Sequence, residues 1–596
     1  MTFTTRPELM GTFGMVSTTH WLASQAGMKM LEDGGTAADA AVAAGFVLNV
    51  VEPHLNGPLG EVPALVLPAG ADTPLVLCGQ GVAPEGATIA HYRDEGLDII
   101  PGSGLLATVT PGAFDAWMLM LRDHGRLPLA QVLAPAIHYA EHGHPMLAGV
   151  ASAIAGLAEV FQQEWPTSAP VWLPGGKAPK AGELFRNPDC AAMWRRLVEE
   201  AEAAGPDRDA QIEAARRAHA QGFVAEAIDA YLRDACTLDA TGERRKGVLT
   251  GQDMANWEAT WEAPLAVDHA GWTVWKTGAW TQGPVLLQVL QMLSGDTLSS
   301  LDPTGPEMVH LVTEALKRAF ADREAYYGDP ALSDIPIDTL LSAAHNAAHR
   351  ADIGTEASLD MRPGAIEGLE HQVAAFLERT ARRTPEAGVG AGEPTMAHLV
   401  NQRGDTVHID VVDRWGNMVS ATPSGGWLKS NPVIPGLGVP LNTRAQMFWL
   451  DEGLPTSLMP GARPRTTLSP SMARGADGTA YAFGTPGGDQ QDQWQVTFLL
   501  RLIHHGMNLQ EAIDGPLFHT GHLQSSFFPR AVQPGHLLVE PAFPAATIED
   551  LRARGHRLEV SAPWSAGRLC AVALRPDGVV KGAATPRLMQ AYAVGR

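Results

Sequence analysis

Cysteine is scarce in this chain: 596 residues carry four, Cys78, Cys190, Cys236 and Cys570. No two stand close enough for a metal knuckle or a CxxC redox pair. They read as reduced core residues of a cytoplasmic protein. Basic tracts are also missing. Lys and Arg total 43 against 65 Asp and Glu, a net charge of −22, which argues against nucleic acid and acidic membrane surfaces as partners. Long apolar runs are absent. "AADAAVAAGFVLNVVEP" (37–53) contains an Asp and is rich in Ala, so it reads as a buried helix and not a membrane span. The opening "MTFTTRPELMGTFGMVSTTH" has no basic stretch running into an apolar one, so no secretion signal is expected. There is no P-loop. The Gly388, Gly390, Gly392 spacing is no dinucleotide fingerprint, because no strand precedes it and no helix follows.

What is present has an ordinary globular mix, 45% apolar and 18% charged. Ala-rich helices alternate with short β-branched runs over the first 150 residues, where "ALVLP" and "TPLVLCGQG" read as a hairpin. A helical, polar-faced segment covers about 151–251. "PEMVHLVTEALKRAFADREAYYGDP" (306–330) reads as a long amphipathic helix with a Gly-Asp-Pro stop. Residues 382–405 are rich in Gly, Pro and small side chains without a period, hence loop. After Thr406 the texture turns to strands: "TVHIDVVD", "MVSATPS", "TAYAFGTPGG". "HYAEH" (138–142) has the H-x-x-E-H spacing of a zinc site. The Gly-His-Pro that follows reads instead as a helix end with histidines complementing the dipole.

Thr406 opens the strand-rich part straight after the loop. It is either a β-former at a strand start or a nucleophile. A threonine hydroxyl needs a base, and the α-amine of the same residue supplies one if the chain is cut before it. That amine has a reference pKa near ~7.7–8.0, so a useful fraction is unprotonated at neutral pH. "FGTPGG" ends a strand with two glycines, which let backbone N–H groups approach a developing oxyanion. "RPRTTLSPS" supplies clustered hydroxyls for a pocket wall.

Taken in order, six segments resemble the γ-glutamyltranspeptidase family of N-terminal nucleophile hydrolases over nearly the whole chain. They are "GMVSTTHWLASQAGMKMLEDGGTAADAAVAAGFVLNVVEPHLNG", "TPGAFDAWMLMLRDHGRLPLAQVLAPAIHYAEHGHPM", "TEALKRAFADREAYYGDP", Thr406-Val407-His408 with Gly416-Asn417, "RPRTTLSPS" and "GTPGG". The resemblance implies an α+β fold, a four-layer αββα sandwich, made as one chain. It implies self-cleavage between Asp405 and Thr406 into a large subunit (1–405, processing loop at about 382–405) and a small one (406–596), with a dimer of such heterodimers as one assembly. It puts the nucleophile at Thr406, an amine-holding hydroxyl at Ser424, oxyanion-hole glycines at Gly487 and Gly488, and pocket hydroxyls at Thr466 and Thr467. It implies no cofactor and no metal.

The substrate clamp departs from the family pattern. Gln80 stands where the family keeps an Arg for the γ-glutamyl carboxylate, and Met447 where it keeps an Asp for the amine. Gly426 and Arg444 replace two further polar positions. A neutral amide does not replace a bidentate guanidinium. At roughly 1.5–3 kcal/mol per charge-assisted bond, the loss of both ends removes γ-glutamyl recognition. Arg444 and Arg465 remain as cations near the pocket. Arg444 reads equally as a carboxylate grip or as a structural salt bridge. The expected activity is hydrolysis of a small acid-bearing amide. A true γ-glutamyltransferase/glutathione hydrolase with a rearranged clamp and an uncleaved binding scaffold are the alternatives.

Overall fold

The computed structural model describes residues 3–382 and 406–596. Asp405 and all but the first residue of the expected processing loop lie outside the described residues.

Two antiparallel sheets of seven strands each dominate the fold. The first runs Leu9–Gly11, Val580–Ala584, Cys570–Leu574, Ala480–Gly484, Ser471–Gly475, Trp272–Lys276, Leu265–His269. The second runs Tyr592–Gly595, Gly14–Thr18, Ile409–Asp413, Met418–Ala421, Val62–Leu67, Leu75–Gly79, Thr260–Glu262. The expected hairpin is there, with Val62 opposite Gly79. Both faces of the central strands are buried, which explains their near-continuous apolar runs.

One apolar cluster draws on strands of both sheets: Met15, Leu65 and Val412 from the second, Met472, Ala482 and Val572 from the first. The sheets therefore pack face to face. Ala37–Val51 and Ala113–His124 cover the outer face of the second sheet, with Leu129–His142 packed against Ala37–Val51. Pro284–Met292 and Gln491–His505 cover that of the first, with Pro306–Tyr326 packed against Pro284–Met292. The polar-faced region resolves into separate helices, Arg208–Ala220 and Phe223–Asp234, broken at Gly222. No helix among the described residues is long and apolar enough to cross a membrane.

One expectation needs correction. The helix Pro306–Tyr326 is not amphipathic in the structure, because every residue from Met308 to Tyr326 is buried. Its charges are matched inside the protein: Lys317 with Glu314 at 2.6 Å, Arg323 with Asp489 at 2.5 Å, Asp322 with His345 at 2.7 Å. A helix buried on all sides can carry charge only if each charge is paired.

Lys276, at the end of its strand, is fully buried and meets Asp492 at 2.9 Å and the Ser471 hydroxyl at 2.7 Å. Removing one member strands the other in the core. Lys276→Met is expected to destabilise by about 3–5 kcal/mol in denaturant unfolding. Combination with Asp492→Leu should return a large part of that loss, giving a non-additive double-mutant cycle.

Candidate active site

Register places most of the sequence-selected residues at one end of the two sheets. In the second sheet Ile409 is opposite Ala421, so Thr406 lies beyond the strand start and beside Ser424. Ser424 in turn bridges Glu61, and Gln80 directly follows Gly79, the partner of Val62. Thr406, Ser424, Glu61 and Gln80 thus form a row across that sheet end. In the first sheet Phe483 is opposite Ser471, and Gly484 is opposite Cys570. Thr466, Thr467, Gly487, Gly488 and Arg568 are therefore carried at one end. Arg568 joins the two rows. Its guanidinium donates to the Thr406 carbonyl at 3.0 Å, and its backbone N–H donates to the Thr485 hydroxyl at 2.8 Å.

Thr406 is buried and has φ +91°. A β-branched residue in this region is an outlier that its surroundings must hold in place. Its N–H donates to the Leu55 carbonyl at 2.7 Å, and its Oγ1 lies 3.0 Å from the Ser424 Oγ. The same Leu55 carbonyl accepts the Trp427 indole N–H at 2.6 Å. This geometry also explains why the regular strand begins at Ile409 and not at Thr406: the first residues bond outside the ladder, with Val407 N–H going to the Pro423 carbonyl. His408 is a packed strand residue, its ring between Thr422 Oγ1 and Asp410 Oδ1, each at 3.0 Å.

Gly487 has φ +136°, and a Cβ there would sit 2.3 Å from the Trp494 ring, so only glycine fits. The Gly488 carbonyl accepts from Gln282 Nε2 at 3.1 Å. Thr466 and Thr467 are fully buried, and the Thr467 hydroxyl has no hydrogen-bond partner among the described residues. Gln80 spends its Nε2 on the Gly81 carbonyl at 3.1 Å, while its Oε1 is likewise without a partner among them. Met447 is buried in the single turn Arg444–Met447. On that turn Arg444 donates from Nε to Glu61 and lies 5.2 Å over Trp427. Of the two readings of Arg444, the salt bridge is the one seen, and its charge is matched within the protein. Arg465 is buried and donates to Glu324 at 2.8 Å and to Ser526 at 3.0 Å.

The family model described as Gamma-glutamyltranspeptidase matches residues 23–595. The chain belongs to the gamma-glutamyltranspeptidase family. It is 34% identical to the oxamate amidohydrolase proenzyme of Klebsiella pneumoniae subsp. pneumoniae, with 97% of each chain covered. It is 31% identical to an acylase ACY 1 proenzyme of Pseudomonas sp., covering 96% of this chain and 92% of that one. A solved structure of LmbA2991 superposes at TM-score 0.93 with 54% identity and full coverage of both chains. A cephalosporin acylase from Bacillus halodurans superposes at TM-score 0.79 with 27% identity, covering 100% and 97%. The chain is an enzyme of this family.

Two groups in this family member hold metal-ligating side chains close together among the described residues, His310–Glu314–His556 and Asp322–His345–His349. Each group is closed by hydrogen bonds between its own members, while His310 Nε2 meets the Gly354 carbonyl at 3.0 Å. His310 Nδ1 meets His556 Nε2 at 2.9 Å, and Asp322 Oδ2 faces His345, His349 and Gln288 at 2.7–2.9 Å. The H-x-x-E-H segment ends its helix at His142, its two rings stack at 4.6 Å, and Glu141 is bonded to Arg195.

Sequence reasoning missed Arg568 and Glu52. Each is a lone charged residue whose partners lie far away along the chain, so no local pattern marks it. Glu52 caps the helix Ala37–Val51, accepts from Thr19 Oγ1 at 2.7 Å and from Gln590, and lies 4.0 Å from Arg568. Burial pushes its pKa up to about 7, against the pull of Arg568. A raised carboxyl stabilises the fold below its unfolded pKa and loses that contribution as pH rises through the folded value. Glu52→Gln removes the term. Between about pH 5 and pH 8 the unfolding free energy of the parent, measured in urea, should fall relative to the variant by about 2–3 kcal/mol.

Proposed function

We propose that the protein is a self-processing threonine amidohydrolase acting on a small acid-bearing amide, and that its paired sheets with outer helices are the four-layer αββα sandwich of N-terminal nucleophile hydrolases. The observation that carries the reading is Thr406 itself: buried, at φ +91°, with Oγ1 3.0 Å from Ser424 and the backbone held from both sides. Backbone strain at a peptide bond lowers the cost of breaking it.

In maturation the Thr406 hydroxyl attacks the Asp405 carbonyl. The acyl group passes from N to O, and water cleaves the ester, leaving a carboxylate on Asp405 and a free amine on Thr406. The Leu55 carbonyl at 2.7 Å then accepts from that amine as it did from the amide, and Ser424 holds the hydroxyl beside it. In turnover the amine takes the hydroxyl proton, the oxygen attacks the substrate carbonyl, and the N–H groups of Gly487 and Gly488 receive the oxyanion. The proton passes to the departing nitrogen. Water then hydrolyses the ester and regenerates the hydroxyl. Kinship to proenzymes named oxamate amidohydrolase and acylase supports amide chemistry, and Gln80 and Met447 in the clamp positions argue against a γ-glutamyl group. This reading needs neither metal nor cofactor.

Purified protein is expected to run as two bands on a denaturing gel, with the smaller beginning at Thr406 by intact mass. Thr406→Ala should remain one band and lose hydrolysis of a small acid-amide panel by at least about a thousandfold. γ-Glutamyl-p-nitroanilide should be a poor substrate of the parent. Efficient turnover of it would favour a glutathione hydrolase with a rearranged clamp, and activity in an uncut chain would defeat the nucleophile assignment.

A further inference from the structure

The helix Pro306–Tyr326 carries Asp322 into the interior, and the helix Ala343–Ala351 brings two histidines to it. His345 and His349 stand four residues apart, so one helix face presents both rings. Their Nε2 atoms lie 2.7 Å and 2.9 Å from the same carboxylate oxygen, Asp322 Oδ2. Gln288 Nε2 donates to that oxygen as well, at 2.8 Å. The other oxygen, Oδ1, accepts the Gly364 N–H at 2.7 Å. Three donors on Oδ2 exceed the two lone pairs of one carboxylate oxygen. A divalent ion in place of the two imidazole protons relieves that crowding. It also matches the buried carboxylate while both rings stay in their neutral, ligating form.

The distances suit such an ion. Placed about 2.1 Å from each ligand atom, it spans the observed N···O separations at ligand angles of roughly 80–90°. A tetrahedral arrangement needs them about 0.6 Å wider. Gly364 passes over the pair. A Cβ there would come within 2.8 Å of both Nε2 atoms, so no side chain at this position covers them. The outer contacts that orient a ligand are in place: Gly364 N–H fixes Oδ1, and the Tyr327 hydroxyl donates to Gln288 Oε1 at 2.6 Å. The His345 side chain keeps 6% of its surface exposed, which marks the way in. No Lys or Arg pairs with Asp322 among the described residues. The group His310–Glu314–His556 differs on this point, because the Lys317 ammonium donates to Glu314 at 2.6 Å and would repel a cation.

We propose that Asp322, His345 and His349 form a metal site for zinc or a divalent ion of like chemistry. Two imidazoles and one carboxylate leave the fourth position to water. The site is structural. It ties the helix Ala343–Ala351 to the helix Pro306–Tyr326, and none of the residues named for hydrolysis is a ligand.

The test is titration of chelator-stripped protein with zinc chloride, followed by calorimetry and by thermal unfolding. The parent should bind one zinc tightly at this site, and excess zinc should raise its midpoint by about 2–4 °C. His345→Gln should bind that zinc roughly a hundredfold more weakly and lose the thermal gain. The exposed His138–His142 pair is the control, and His142→Ala should retain both effects. A parent that binds no zinc, a His345→Gln protein that binds it like the parent, or loss of the zinc in His142→Ala overturns the site. Should His345→Gln fail to fold, X-ray absorption of the zinc-loaded His142→Ala protein decides. Two imidazoles with oxygen ligands support the site, and fewer than two imidazoles overturn it.

Discussion

The peptide around Thr406 is held from both ends, by the Leu55 carbonyl at its N–H and by Arg568 at its carbonyl, and the rest of the site is arranged around that constraint. Left-handed backbone at a β-branched residue costs of order 1–3 kcal/mol. The structure offsets that cost with bonds from three separate places: the turn after the helix Ala37–Val51, Ser424 beyond the end of the strand Met418–Ala421, and the segment leading into Cys570–Leu574. Each is fixed by a central strand or a core helix. The geometry at Thr406 is therefore tied to segments carried by both sheets.

The same stacking explains the pattern of buried charge. Where the sheet ends meet, the interior holds several ion pairs, Arg323–Asp489, Arg465–Glu324 and Arg444–Glu61 among them. Such pairs rarely add stability over apolar packing. Their benefit is positional. Glu61 fixes Arg444 against Trp427, whose indole N–H shares the Leu55 carbonyl with Thr406. Arg323 and Gln282 together steady the Gly488 carbonyl, and with it the orientation of the neighbouring N–H groups. The polar interior thus reads as scaffolding for backbone groups that have to point in one direction.

What was legible in the sequence follows from the range of the interactions involved. The strands Val62–Leu67, Leu75–Gly79, Ile409–Asp413, Met418–Ala421 and Ala480–Gly484 and the helices that stop at Gly125 and Gly143 are written in local pattern and lie where it indicates, whereas the strands at 265–276 and 570–595 carry no pattern that was read as strand. The strand start at Ile409 was not legible, because the bonds that pull Thr406 and Val407 out of the ladder come from Leu55 and Pro423. The helix Pro306–Tyr326 misled for the same reason. Its charged positions have helical spacing, yet Arg323 finds its partner 166 residues away and Glu324 finds Arg465 at a separation of 141. No window of sequence distinguishes a solvated charge from one paired across the core. Arg568 and Glu52 were invisible on that account, and the sequence left both readings of Arg444 open.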